Sequence, residues 1–126
     1  MAYQFKPIQR TKYGNKKIIV NGETFDSQKE ARRNTTLRQM EQIGMITGLR
    51  RQVRFELVPA QKDPETGKVV ERAIDYVADF CYQDADGKTV VEDVKGYRNT
   101  ADAAYRIFVI KRKLMRWIHG IEIREL

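Results

Sequence analysis

The sequence predicts an α/β domain with a mixed central sheet. Three observations predict it. Two segments with helix signals, about 27–43 and 101–118, bracket three consecutive strand-like segments. The turn signal Asp84-Ala85-Asp86-Gly87 joins the last two of those strands into a hairpin. An alternating segment, IEIREL, follows the second helix. A strand reached through a helical crossover is expected parallel to its neighbour, with a right-handed connection.

Each element has a local reason. The first dozen residues read as a flexible basic arm (1–12) of a single domain spanning 1–126. KKIIV and ETF read as a short hairpin around Asn21-Gly22, because Asn-Gly suits a two-residue turn with positive φ. Ser27 with Glu30 three residues on is a capping-box pattern, and Gly44 is a good helix stop. QVRFELVP reads as a strand from Gln52, and Pro59, Pro64 and Gly67 punctuate the loop after it. VVERAIDYVADFCY reads as one long strand ending at Tyr82, and KTVVEDVK as its return. Thr100 is the expected N-cap of the second helix, with Asp102 in its first turn.

Composition narrows the partners. Of the 126 residues 41% are hydrophobic and 33% charged, a globular balance with a crowded polar surface. No apolar run reaches the roughly 18 residues of a membrane span, and MAYQFKPIQR lacks a signal-peptide core. The lone Cys81 forms no intrachain disulfide and is expected as a small buried residue in a cytoplasmic protein. Lys plus Arg number 24 against 17 Asp plus Glu, a net charge of +7 that favours a polyanionic partner. The basic residues group as Lys6, Arg10, Lys12, Lys16 and Lys17, then Arg50, Arg51 and Arg54, then Arg106, Lys111, Arg112, Lys113 and Arg116.

The chemistry concentrates in VVEDVKG. Strand side chains alternate faces, so Asp93 and Lys95 share one face and Glu92 the other. A three-residue loop with Gly87 left-handed pairs Asp84 with Lys88 and, counting outward, sets Asp79 opposite Asp93. Directly opposite residues hold their Cβ atoms roughly 4.5–5.5 Å apart, and a one-residue slip destroys the arrangement. Two carboxylates converging on one point repel unless a cation lies between them, and Mg²⁺ prefers such oxygen ligands. The same acids could instead form a solvated salt-bridged hairpin, yet Asp79 sits amid Tyr76, Val77, Phe80 and Tyr82. Glu92 reads as structural or surface, and Asp75, four residues from Asp79, as an arginine partner. His119 reads as a helix-end residue, and Trp117 and the tyrosines as core.

Asp79, a turn and Asp93-Val94-Lys95 resemble the bipartite motif of the PD-(D/E)XK nuclease superfamily, and the element order resembles its αβββαβ core. KYGNKK, FDSQKEARR, ADFCY and VVEDVKG together resemble a mostly phage-encoded branch of it, over about 12–126. The resemblance implies a restriction-endonuclease-like fold and Mg²⁺- or Mn²⁺-dependent cleavage of DNA, duplex or branched. Asp79 and Asp93 then match the metal-binding acids, Lys95 the catalytic lysine, and Glu30 an acid that joins the same metal. Glu30 retains its other reading as the partner of Ser27 in the cap. Ala78 stands where the motif has proline. Lys12, Lys16, Lys17, Tyr97, Arg98, Lys111, Lys113 and Arg116 are expected DNA contacts. Analogy with small Holliday-junction resolvases suggests a branched substrate, a homodimer and a phage or prophage setting. The contrasting expectation is a basic DNA-binding or assembly module on the same fold without turnover.

Overall fold

A computed structural model describes the backbone of residues 6–10 and 16, and residues 17–96 and 101–126 with their side chains. Strands β1 (Lys6–Arg10), β2 (Lys16–Val20) and β3 (Glu23–Phe25) form a small antiparallel sheet. The β2–β3 turn is the expected one, with Asn21 at φ 52° and Gly22 at φ 81°. The basic arm is corrected in part: residues 6–10 pair with β2, Lys6 facing Ile19 and Pro7 facing Ile18.

Helix α1 (Gln28–Gln42) begins where the cap predicts. Ser27 is extended, and its Oγ accepts from Glu30 N at 3.1 Å. Gly44, at φ 81°, terminates it. Its buried face is Glu30, Ala31, Asn34 and Leu37, so half of what the helix turns inward is polar.

The main sheet has the order β4-β7-β8-β9. Strand β4 (Thr47–Val58) starts five residues before the expected Gln52, because Gly48 and the arginines hide an extended stretch. The expected long strand is two: β6 (Val69–Glu71) closes a small hairpin with β5 (Gln61–Lys62), and β7 (Ile74–Gln83) joins the main sheet. Strand β8 (Thr89–Asp93) pairs antiparallel with β7 in the expected register, from Gln83↔Thr89 to Phe80↔Glu92. Gly87 at φ 77° and Asp84 N donating to Lys88 O at 2.9 Å make the three-residue loop.

Helix α2 (Ala103–Leu114) is capped by Asp102, whose Oδ1 accepts from Ala104 N at 2.8 Å. That corrects Thr100, which lies outside the described residues. A π-helical turn, Met115–His119, extends α2 to Gly120. Strand β9 (Ile123–Glu125) then runs parallel to β8, as expected. His119 is a helix-end residue, its Nε2 hydrogen-bonded with Glu56 O at 2.8 Å.

Apolar clusters cover both sheet faces. Tyr76, Ala78, Cys81, Val91, Phe108 and Met115 pack on the α2 side. Leu37, Phe80, Tyr82 and Val90 pack on the α1 side. Trp117 corrects its expected place in the core, for it is 86% exposed. No helix among the described residues is long and apolar enough to cross a membrane.

Candidate active site

The two faces exchange at one rung of the sheet. In a regular strand Ala78 and Phe80 would share a face. Here Ala78 packs under α2 and Phe80 under α1. On β4, Leu49 likewise packs on the α1 side and Val53 on the α2 side. The pairing passes from Arg51↔Phe80 to Val53↔Ala78 and leaves Gln52 opposite Asp79 without a paired rung. Gln52 takes a left-handed backbone, φ 53°. The switch points Asp79 into neither core and leaves its carboxylate free to bind locally.

The β7–β8 ladder opens at the same level. The rung after Phe80↔Glu92 would set Asp79 opposite Asp93. Instead Asp79 Oδ2 accepts from Val94 N at 2.8 Å, one residue past Asp93. The carboxylate takes over a backbone donor that the parting strands would otherwise leave unpaired. The charge of Asp93 reaches Asp79 and adds to its ionisation cost.

Asp93 is 8% exposed and has both oxygens engaged. Tyr76 donates to Oδ2 at 2.7 Å, and Lys95 Nζ lies 2.8 Å from Oδ1. Burial, with Asp93 beside it, pushes the Tyr76 hydroxyl well above the ordinary phenol range, so it stays a donor. Lys95 Nζ also sits 3.4 Å from the centroid of Phe108 on α2. The lysine backbone is tied on both sides, Lys95 N to Leu126 O at 2.9 Å and Lys95 O from Lys29 Nζ at 2.8 Å.

Glu30 enters from α1 and faces both the helix start and the neighbourhood of Asp79; at the cap its side chain meets Asp26 N, one residue before the expected Ser27. Its Oε2 accepts from Asp26 N at 3.1 Å, which closes the helix start. Its Oε1 accepts from Gln52 Nε2 at 3.2 Å, and Arg51 stands 3.6 Å away. The same Gln52 nitrogen donates to Asp79 Oδ1 at 3.3 Å.

Burial first, then the charge of Asp79, pushes the Glu30 carboxyl above its usual range. Burial first, then Asp93, does the same to Asp79 against the pull of Val94 N–H. The donors are hard carboxylate oxygens carrying electrostatic tension that a divalent cation relieves, so the residues fit Mg²⁺ or Mn²⁺ chemically. Among the described residues no three acids already stand as one coordination sphere. Glu30 and Asp79 share Gln52, while Asp93 is turned to Tyr76 and Lys95.

These raised values have a thermodynamic sign. A carboxyl with a higher folded than unfolded pKa binds more protons when folded. It costs nothing below the unfolded value, and its penalty grows as pH rises through the folded one. Asp79→Asn, which keeps an acceptor for Val94 N–H, is therefore expected to be more stable than the wild type at pH 7, by about 1 kcal/mol. The gain should shrink as pH falls toward about 4. Urea unfolding at both pH values tests this, and a variant less stable at pH 7 would refute the electrostatic cost.

Other expected contacts scatter. Lys17 is exposed and ion-paired with Asp26. Lys16 contributes backbone to β2, opposite Arg10. Lys111 is half-buried on α2, one turn beyond Phe108. Lys113 and Arg116 are exposed and line a cleft with Glu122 and Glu125, a surface of mixed charge. Lys12, Tyr97 and Arg98 lie outside the described residues. Asp75 pairs with Arg54 at 2.7 Å, as read from the sequence, and Glu92 proves structural and not surface, fully buried against Arg33. Gln52 and Tyr76 were not legible as site residues. The only signals were a Gln-Val start to a strand and a tyrosine three before the aspartate.

No curated protein and no solved structure matches the chain. Residues 10–122 match the family DUF1064, described as a protein of unknown function, and the chain belongs to that family.

Proposed function

We propose that the chain is a metal-dependent DNA endonuclease using Mg²⁺ or Mn²⁺. The observation that carries this reading is the meeting of Asp79, Asp93 and Lys95 where the β7–β8 ladder opens, with Glu30 brought in by α1. Asp79, Asp93 and Glu30 would hold the cation. When bound, it polarises a phosphoryl oxygen and lowers the pKa of a coordinated water. Lys95, fixed by Asp93 and the Phe108 ring, would offer its ammonium to the charge that builds on the phosphorus oxygens. The net charge of +7 supports a polyanionic substrate. Phage or prophage DNA recombination, replication or packaging is the setting inferred, with branched DNA the preferred substrate.

One observation favours the second reading, a DNA-binding or assembly module without turnover. Each acid already has protein donors: Gln52, Val94 N–H, Tyr76 and Lys95. Cleavage of supercoiled plasmid and a synthetic four-way junction, with Mg²⁺, Mn²⁺ or EDTA, separates the two. The expected result is metal-dependent cutting by the wild type, lost in Asp93→Ala, and faster on the junction. A folded wild type that binds DNA and cuts neither substrate would establish the module instead.

A further inference from the structure

The left-handed backbone of Gln52 accompanies the exchange of faces on β4, and it also places a side chain. Among the described residues only Asn21 and Gln52 are non-glycine positions with positive φ. Asn21 sits in a two-residue hairpin turn, where that backbone is required. Gln52 lies in the middle of β4, where a left-handed residue costs a rung of the ladder and persists only if its surroundings hold it. Besides the exchange of faces, what it gains is the placement of its side chain. Nε2 donates to Glu30 Oε1 at 3.2 Å and to Asp79 Oδ1 at 3.3 Å, one amide nitrogen between two carboxylates. Only the nitrogen can face them both, since the amide oxygen would meet two acceptors.

We infer that Gln52 is a positioning residue: its amide ties the carboxylate of Glu30 on α1 to that of Asp79 on β7, the two acids that would hold the cation together with Asp93. No backbone rung joins these two acids, and the β4–β7 pairing lapses at the level where they approach. The amide supplies two N–H dipoles between the acids and limits their rotation, so less ordering remains when a cation binds. The inference rests on the metal-dependent reading above and adds to it a residue outside the acid–lysine motif.

The test is Mn²⁺ affinity, measured by the electron paramagnetic resonance of free Mn²⁺ without DNA or turnover. Gln52→Gly is the informative variant, because glycine accepts a left-handed backbone and removes only the side chain. Gln52→Asn also tolerates that backbone and is one methylene shorter. Both are expected to weaken Mn²⁺ binding by about 10-fold or more with thermal midpoints no lower than the wild type's. In a Glu30→Gln background the further loss from Gln52→Gly should be much smaller, since the amide acts through Glu30. Wild-type affinity in both variants would overturn the inference and leave the nuclease reading intact. A wild type that binds no Mn²⁺ would overturn both. Equal losses with and without Glu30 would show that Gln52 does not act through that acid, and would overturn the clamp.

Discussion

On the proposed nuclease reading, Lys95→Ala is expected to cleave DNA about 10²–10³-fold more slowly than the wild type while it folds and binds DNA as the wild type does. The lysine is a positioned charge with little freedom. Its backbone is held by Leu126, just past β9, on one side and by Lys29 on the other, and its ammonium lies 2.8 Å from Asp93 and 3.4 Å from the Phe108 centroid. Only 19% of its side chain is exposed, so it contributes little to a general attraction for DNA. A charge held in place acts most where the reacting phosphoryl group gains charge, and therefore on the rate more than on binding. Single-turnover cleavage and fluorescence anisotropy separate the effects: a slower rate at unchanged Kd is the expected pattern. Lys95→Arg should not restore the rate, because a planar guanidinium cannot keep a compact charge at both partners. Cleavage by Lys95→Ala at the wild-type rate would remove the lysine from the mechanism.

The parts legible in the sequence were those governed by short-range geometry. The loop Asp84–Lys88 fixes its own turn, and the turn fixes the β7–β8 register, so Asp79 could be counted to Asp93. The Ser27 cap and the crossover through α2 were local in the same sense. The β4–β7 pairing was not, because the β5–β6 hairpin stands between its strands and no count passes through it. Gln52 opposite Asp79 was hidden for that reason. The exchange of faces at this rung was hidden too, since Ala78 and Phe80 alternate as a regular strand would. Trp117 was misplaced through weighting size over phase. With Phe108 and Met115 both inward, seven residues apart, a residue two further on points away from the sheet.

Arg33→Ala is expected to cost about 3–5 kcal/mol, the largest loss of stability at any single position considered. Glu92, the neighbour of Asp93, is 0% exposed and faces α1. Arg33 grips it with both ends of the fork, Nε to Oε1 at 2.8 Å and a terminal nitrogen to Oε2 at 2.6 Å. The Tyr82 hydroxyl also donates to Oε2, and burial with this bond pushes its pKa up to about 12. Arg124 stands 3.9 Å away from the same oxygen. Without Arg33 the carboxylate remains in the core with one hydroxyl and a distant, half-exposed cation. A domain of this size has only about 5–15 kcal/mol to lose, so the melting point should fall by roughly 10–20 °C. Replacing both partners, Arg33→Met with Glu92→Leu, should recover much of the loss, since most of it is the penalty of a stranded charge. The pair has a second consequence. Arg33 lies three residues from Glu30 on α1, and Glu92 adjoins Asp93 on β8, so the ion pair fixes the helix against the strand that carries the site. The double variant should therefore be nearly as stable as the wild type yet slower in cleavage. Loss of less than about 1 kcal/mol in Arg33→Ala by urea titration would mean that this bridge behaves as a surface pair and does not hold α1 in place.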